Sequence, residues 1–330
     1  MVLSSSSAMD PYVFDPSPAV ALAVSVSGGV AVAACASMAF FYVATLYSPT
    51  VIFRLPPPAS LDSFIIRRFA CAAVSSVASV VACGFLLGLG RLDDFSSVLG
   101  VFGVRIDHLC QAVFFPLLLT SLLYGGSFVS KTWKLIASRK EGSRENSCSG
   151  FDMCVLRCMD WITAYARNVM AWRNYVVAPF TEELVFRACM IPLLLCGGFG
   201  TSSIIFLSPV FFSLAHLNHF LELYYQRRYR FTKAFLIVGL QLGYTVIFGW
   251  FASFLFIRTG NLISPIVAHV FCNVMGLPVL SCPRTKGLAT LAAAAGVLCF
   301  LWLLFPATSP YLYNDLRDGC SCWHRYCSWS

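Results

Sequence analysis

The sequence predicts an all-α polytopic membrane protein of about eight transmembrane helices with a polar cavity open to one side. Three observations carry that expectation. Of the 330 residues, 58% are hydrophobic and only 12% are charged, where a soluble domain carries about 25% charged residues. The mean hydropathy is +0.75. Finally, apolar runs long enough to cross about 30 Å of hydrocarbon as helices fall at 19–47, 69–90, 109–130, 175–195, 202–221, 234–257, 262–280 and 288–306.

Around these runs the chain divides into parts. Residues 1–18 contain no Lys or Arg, so they lack a basic leader region and read as a short polar tail. Residues 19–130 carry three helices. Residues 131–174 hold Lys131, Lys134, Arg139, Lys140 and Arg144 with Gly and Ser, and read as a basic cytosolic loop. That loop runs into an amphipathic stretch near Trp161–Trp172, which either lies on the membrane surface or extends the fourth helix. Residues 175–306 form a five-helix membrane core, and 307–330 form a Cys-rich tail.

The charge pattern orients the helices. The loops after the first, third, fifth and seventh runs hold 17 Lys and Arg, against five in the opposite set of loops and tails. The positive-inside rule places the first group in the cytosol and both termini on the other side. The net charge of +8 therefore reports topology. No basic domain points to nucleic acid, and membrane lipid is the surrounding partner.

Fifteen cysteines are scattered along the chain. Those in apolar runs, such as Cys35, Cys71 and Cys299, read as small hydrophobes. Cys148, Cys154 and Cys158 lack zinc-ribbon spacing. Cys320, Cys322 and Cys327 form a tail cluster that leaves a disulfide or labile metal site open. The terminal Cys327-Ser328-Trp329-Ser330 has the outline of a prenylation box, but its middle residues are not aliphatic and the topology puts it away from the cytosol.

One run breaks the apolar pattern. Phe180-Thr181-Glu182-Glu183-Leu184-Val185-Phe186-Arg187 lies inside the fourth. An ionised side chain at a helix centre costs about 2.5–3.5 kcal/mol, so three such groups must pair or work in a wet cavity. Glu183 and Arg187 are spaced i,i+4 in the favourable order for an ion pair. Glu182 points about 100° away and has no local partner. Further on, Phe212-Ser213-Leu214-Ala215-His216-Leu217-Asn218-His219 ends the fifth run, and His269-Val270-Phe271-Cys272-Asn273 sits in the seventh. Counted at 1.5 Å per residue, Glu182, His216 and Asn273 all fall about 12 Å below the cytosolic face.

These residue types suit hydrolysis. A free carboxylate and a histidine can activate water. His269 and Asn273 share a helix face and can both donate to a tetrahedral oxyanion. Structural readings stand beside this: an ion pair for packing, His219 as a support for His216, His269 and Asn273 as interhelical glue. Neither a His-Glu-x-x-His nor a Gly-x-Ser-x-Gly motif is present, and Ser213 carries no elbow geometry. Two glutamates with two or three histidines are an adequate zinc set, so the residues leave a metal open. A proton-coupled carrier also buries such groups, but neither internal repeats nor matched Gly/Pro-broken helices are evident. A non-catalytic scaffold is the third class.

The ordered set Glu-Glu-x-x-x-Arg (182–187), Phe-x-x-x-His (212–216) and His-x-x-x-Asn (269–273) resembles the type II CAAX prenyl endopeptidases, the Ras-converting branch of a larger group of intramembrane glutamate proteases. The resemblance covers about residues 173–280. It implies an eight-helix fold in the endoplasmic reticulum membrane, with the active site facing the cytosol. It also implies removal of the aaX tripeptide from prenylated CaaX proteins such as small GTPases. Carried over, Glu182 and His216 activate the water, and His269 and Asn273 form the oxyanion hole. Glu183, Arg187, Phe212 and His219 organise the site, and no cofactor is needed. The eukaryotic branch often has a histidine where this chain has Asn218. Because the wider group acts on other substrates too, the motifs imply the chemistry more firmly than the substrate.

Overall fold

The computed structural model describes residues 26–91, 95–141, 165–215, 220, 223–224 and 228–313. Among them there are helices and no strands. Helix α1 (Gly28–Val51) starts where the Ser27 hydroxyl accepts from the Val30 amide, and α2 (Leu61–Leu86) where Ser60 does the same for Ser63. These side-chain caps satisfy amides that a helix start leaves open. The short α3 (Phe95–Val101) leads to α4 (Leu109–Leu123) and α5 (Gly125–Glu141).

The third apolar run is not straight. α4 and α5 meet at 72°, and α5 stays helical through Glu141. Part of the expected basic loop is thus helix, and 142–164 lie outside the described residues. Small residues permit tight crossings here. A Cβ on Gly296 would collide with the Leu122 carbonyl, and one on Gly126 with the Val279 carbonyl, the close approach that small residues allow between membrane helices.

Five segments follow one another without a break to make α6, spanning 169–196: Val169–Trp172, a π turn Arg173–Val177, Ala178–Glu183, a second π turn Leu184–Cys189, and Met190–Cys196. Asn168 caps its start through the Met170 and Ala171 amides. Of the amphipathic stretch, Val169–Trp172 is continuous with the fourth helix, and residues 161–164 lie outside the described residues. Each π turn is followed by a proline, Pro179 or Pro192, whose missing N–H breaks the regular ladder upstream.

The remaining helices are α7 (Thr201–Ala215), α8 (Phe231–Thr259, closed by Gly260 in the left-handed conformation), α9 (Ile263–Met275) and α10 (Leu288–Ala307). By length and composition α1, α2, α8 and α10 can each cross a membrane, and α4–α5 adds a fifth if the bent pair is one span. α7 and α9 are shorter apolar helices.

Helix α6 is the hub. It packs on α1, α2, α7, α8 and α9. From Val185 to Leu195 every residue is buried, the signature of a helix enclosed on all sides. The hydrophobic core gathers around Phe186, Met190 and Leu194 with Cys35, Cys83, Phe212 and Phe256. Among the cysteines, Cys35, Cys71, Cys83 and Cys189 are buried free thiols, as their apolar setting predicts. Cys148, Cys154, Cys158 and the tail cysteines lie outside the described residues.

Candidate active site

The second π turn begins directly after Glu183 and holds Arg187 inside the core. Arg187 is 1% exposed and Glu183 is fully buried. Arg187 Nη1 donates to Glu183 Oε1 at 3.2 Å, so the ion pair read from the i,i+4 spacing is present. Glu183 does more than neutralise the arginine. His269 Nδ1, on α9, lies 2.7 Å from the same oxygen. Arginine, glutamate and histidine thus form one buried chain across two helices.

Aromatic rings wall this chain. The Arg187 guanidinium sits 4.5 Å from the Phe212 ring centroid and 5.8 Å from that of Phe248. His269 meets the edges or faces of both rings, with Phe248 at 4.9 Å and Phe212 at 6.5 Å between centroids. Phe212 also packs edge-on against Phe186. Cation–π contact of this kind gains about 2 kcal/mol or more when desolvated, which offsets part of the cost of burying a guanidinium whose Nε and Nη2 find no hydrogen bond.

Glu182 turns to another side, as a 100° step requires. Its side chain is 18% exposed and its Oε2 lies 3.9 Å from His269 Nε2. His269 therefore spans the two glutamates: Nδ1 is held by Glu183, and Nε2 faces Glu182. Glu182 lines a cavity of ≈ 100 Å³ together with Tyr42, Arg68, Arg173, Thr181 and Ala215. That is room for water, which needs about 10–15 Å³ on the same measure. The Tyr42 hydroxyl lies 3.0 Å from Thr181 Oγ1 and closes the α1 side.

Asn273 is one turn beyond His269 on α9. It is exposed, and its Nδ2 donates to the Asn174 carbonyl at 2.8 Å. The amide has two hydrogens, so one remains to donate elsewhere. His216 and His219 lie outside the described residues. The residue before them, Ala215, lines the Glu182 cavity. Glu182, Glu183, Arg187, Phe212 and His269 are thus brought together around one centre, with Asn273 a turn away on the same helix as His269.

Sequence reasoning missed Tyr42, Phe248, Arg68 and Arg173. A tyrosine or phenylalanine in an apolar run carries no signal of its own, and the two arginines read only as loop charge. Among the described residues no three His, Cys, Asp or Glu side chains gather as metal ligands.

The motif-bearing stretch, residues 164–275, matches the family model of the type II CAAX prenyl endopeptidases, Rce1-like. The similarity to known proteins extends far beyond it. CAAX prenyl protease 2 of Arabidopsis thaliana is 54% identical over 310 residues, covering 93% of this chain and 98% of the relative. The chain belongs to the type II CAAX prenyl endopeptidase family. The Homo sapiens CAAX prenyl protease 2 is 36% identical over 293 residues, or 87% of this chain and 84% of that protein. The Saccharomyces cerevisiae one is 31% identical over 116 residues, 34% of this chain. No solved structure matches. This CAAX prenyl endopeptidase is accordingly a multi-pass membrane peptidase. Among the described residues, Glu182, Glu183, Arg187 and Phe212 of the three motifs gather near His269.

Proposed function

We propose that the protein removes the aaX tripeptide from prenylated CaaX proteins such as small GTPases, at the endoplasmic reticulum membrane and from a site facing the cytosol. Family membership and the basic loops on one side support this reading. A prenyl chain favours hydrocarbon while its peptide lies at the surface, so a shallow intramembrane site meets the lipidated cysteine at the bilayer edge.

In the proposed mechanism a water in the cavity gives its proton to Glu182, with His216 as second water-orienting group. The resulting hydroxide attacks the carbonyl of the prenylated cysteine. The tetrahedral oxyanion receives hydrogen bonds from Asn273 Nδ2 and from His269 Nε2, which donates when the ring is an imidazolium. Glu183 accepts from Nδ1, and Arg187 donates to the same Glu183 oxygen. Collapse returns the proton from Glu182 to the departing amine. The products are a prenylcysteine carboxylate and the free tripeptide, with no covalent intermediate and no metal. The observation that carries the proposal is His269 held between the two glutamates, 2.7 Å from Glu183 and 3.9 Å from Glu182.

The test is tripeptide release from a farnesylated Cys-aliphatic-aliphatic-X peptide by the purified protein in liposomes, with and without chelator. Release that chelator leaves untouched is expected. Loss with chelator would bring back a metal site. No release by folded protein would move the activity to another peptide, or to a carrier if Glu182-dependent flux appears in sealed vesicles.

A further inference from the structure

Arg68 and Arg173 line the same cavity as Glu182, and the mechanism uses neither. Arg68 comes from α2 and Arg173 from the first π turn of α6. Arg68 Nε is buried without a hydrogen-bond partner, and the guanidinium rests 4.8 Å from the Phe64 ring centroid. Among the described residues, the contact of Arg173 Nη1 is the Met170 sulfur, at 4.0 Å. Neither arginine pairs with a carboxylate among the described residues. Both arginines line this cavity beside Glu182 without an ion pair to it among the described residues, which leaves their guanidinium groups able to take a second carboxylate.

A CaaX substrate brings one. Its last residue ends in a free carboxylate, which a guanidinium can hold by charge-assisted hydrogen bonds. The spacing fits. Arg173 precedes Glu182 by nine residues of helix, about 13–14 Å along the axis. An extended three-residue tail spans about 10 Å, and the long arginine stem covers the difference. Guanidinium groups are the matched partner for a carboxylate because their planar fork donates two parallel hydrogen bonds.

We infer that Arg68 and Arg173 bind the terminal carboxylate of the substrate and so fix the cut three residues from the chain end. This rests on the proposed peptidase reading. It makes the two arginines specificity-determining residues: they hold the far end of the leaving tripeptide while Glu182 acts at its near end. An internal peptide bond, with no carboxylate three residues on, is passed over.

The experiment compares a farnesylated Cys-aliphatic-aliphatic-X peptide ending in a free acid with the same peptide ending in an amide, on the full-length protein in liposomes. The parent is expected to prefer the acid by about 10–100-fold in kcat/KM, mostly through KM. In Arg68→Gln/Arg173→Gln that ratio falls towards one, and Arg68→Lys/Arg173→Lys restores part of it. Equilibrium binding of the two peptides, followed by fluorescence anisotropy, reads the same ratio without turnover, so an inactive but folded variant still answers. A parent that cuts acid and amide equally, or a Gln variant that keeps the parent's ratio, overturns the assignment and leaves the peptidase standing. Cleavage of neither peptide by folded parent overturns the peptidase reading and this inference with it.

Discussion

His269 Nδ1 and Arg187 Nη1 converge on one oxygen of Glu183, at 2.7 and 3.2 Å. The glutamate therefore couples a buried cation to the ring that faces Glu182. A carboxylate in this position fixes which ring nitrogen carries its proton and where the other points. Glu183→Gln keeps the shape but removes the charge. Its expected effect is a fall in kcat of about 10²-fold or more with KM little changed, measured on the farnesylated peptide. A kcat within twofold of the parent would mean that Glu183 does not orient His269.

Removing Arg187 alone strands the Glu183 charge in the core. Arg187→Leu is expected to destabilise the protein by about 3–5 kcal/mol. Adding Glu183→Leu should recover a large part of that loss, because the buried charge goes with it. Unfolding in detergent of the two single variants and the double variant gives the coupling. Additive single effects would show that the pair contributes nothing as a pair.

Phe212 acts through Arg187 and His269, both of which it touches. Phe212→Leu retains much of the volume but loses the aromatic face, so stability is expected to drop by about 1–2 kcal/mol. Turnover should fall as His269 loses one wall. An unchanged unfolding midpoint would remove the cation–π contact from the account.

Much of this site is legible in the sequence because charge inside an apolar run is rare and costly. Glu182, Glu183 and Arg187 stand out for that reason, and the i,i+4 step correctly predicts the 183–187 ion pair. What local spacing does not reveal is the bond from Glu183 to His269, which joins residues 86 apart in sequence. The π turns are likewise hidden, since hydropathy has the same period through them. The third run reads as one span, yet it bends by 72° between α4 and α5, where Gly125 and Gly126 let α10 approach closely. Tyr42 and Phe248 are invisible among many aromatic residues until packing selects them.

Asn273 keeps one amide hydrogen on the Asn174 carbonyl and has one free to donate. Asn273→Ala is expected to lower kcat by about 10²–10³-fold, the usual effect of losing one oxyanion donor. Asn273→Gln tests the placement, because the longer chain moves the donor. Near-parental activity of either would take Asn273 out of the oxyanion hole.

The central claim is that Glu182 is the base that activates water beside His269. Its most direct test is turnover of the farnesylated peptide by Glu182→Ala, at matched protein level and with folding checked by size-exclusion elution. The account predicts that tripeptide release is abolished while the folded protein still binds the peptide. Normal turnover by Glu182→Ala would contradict it.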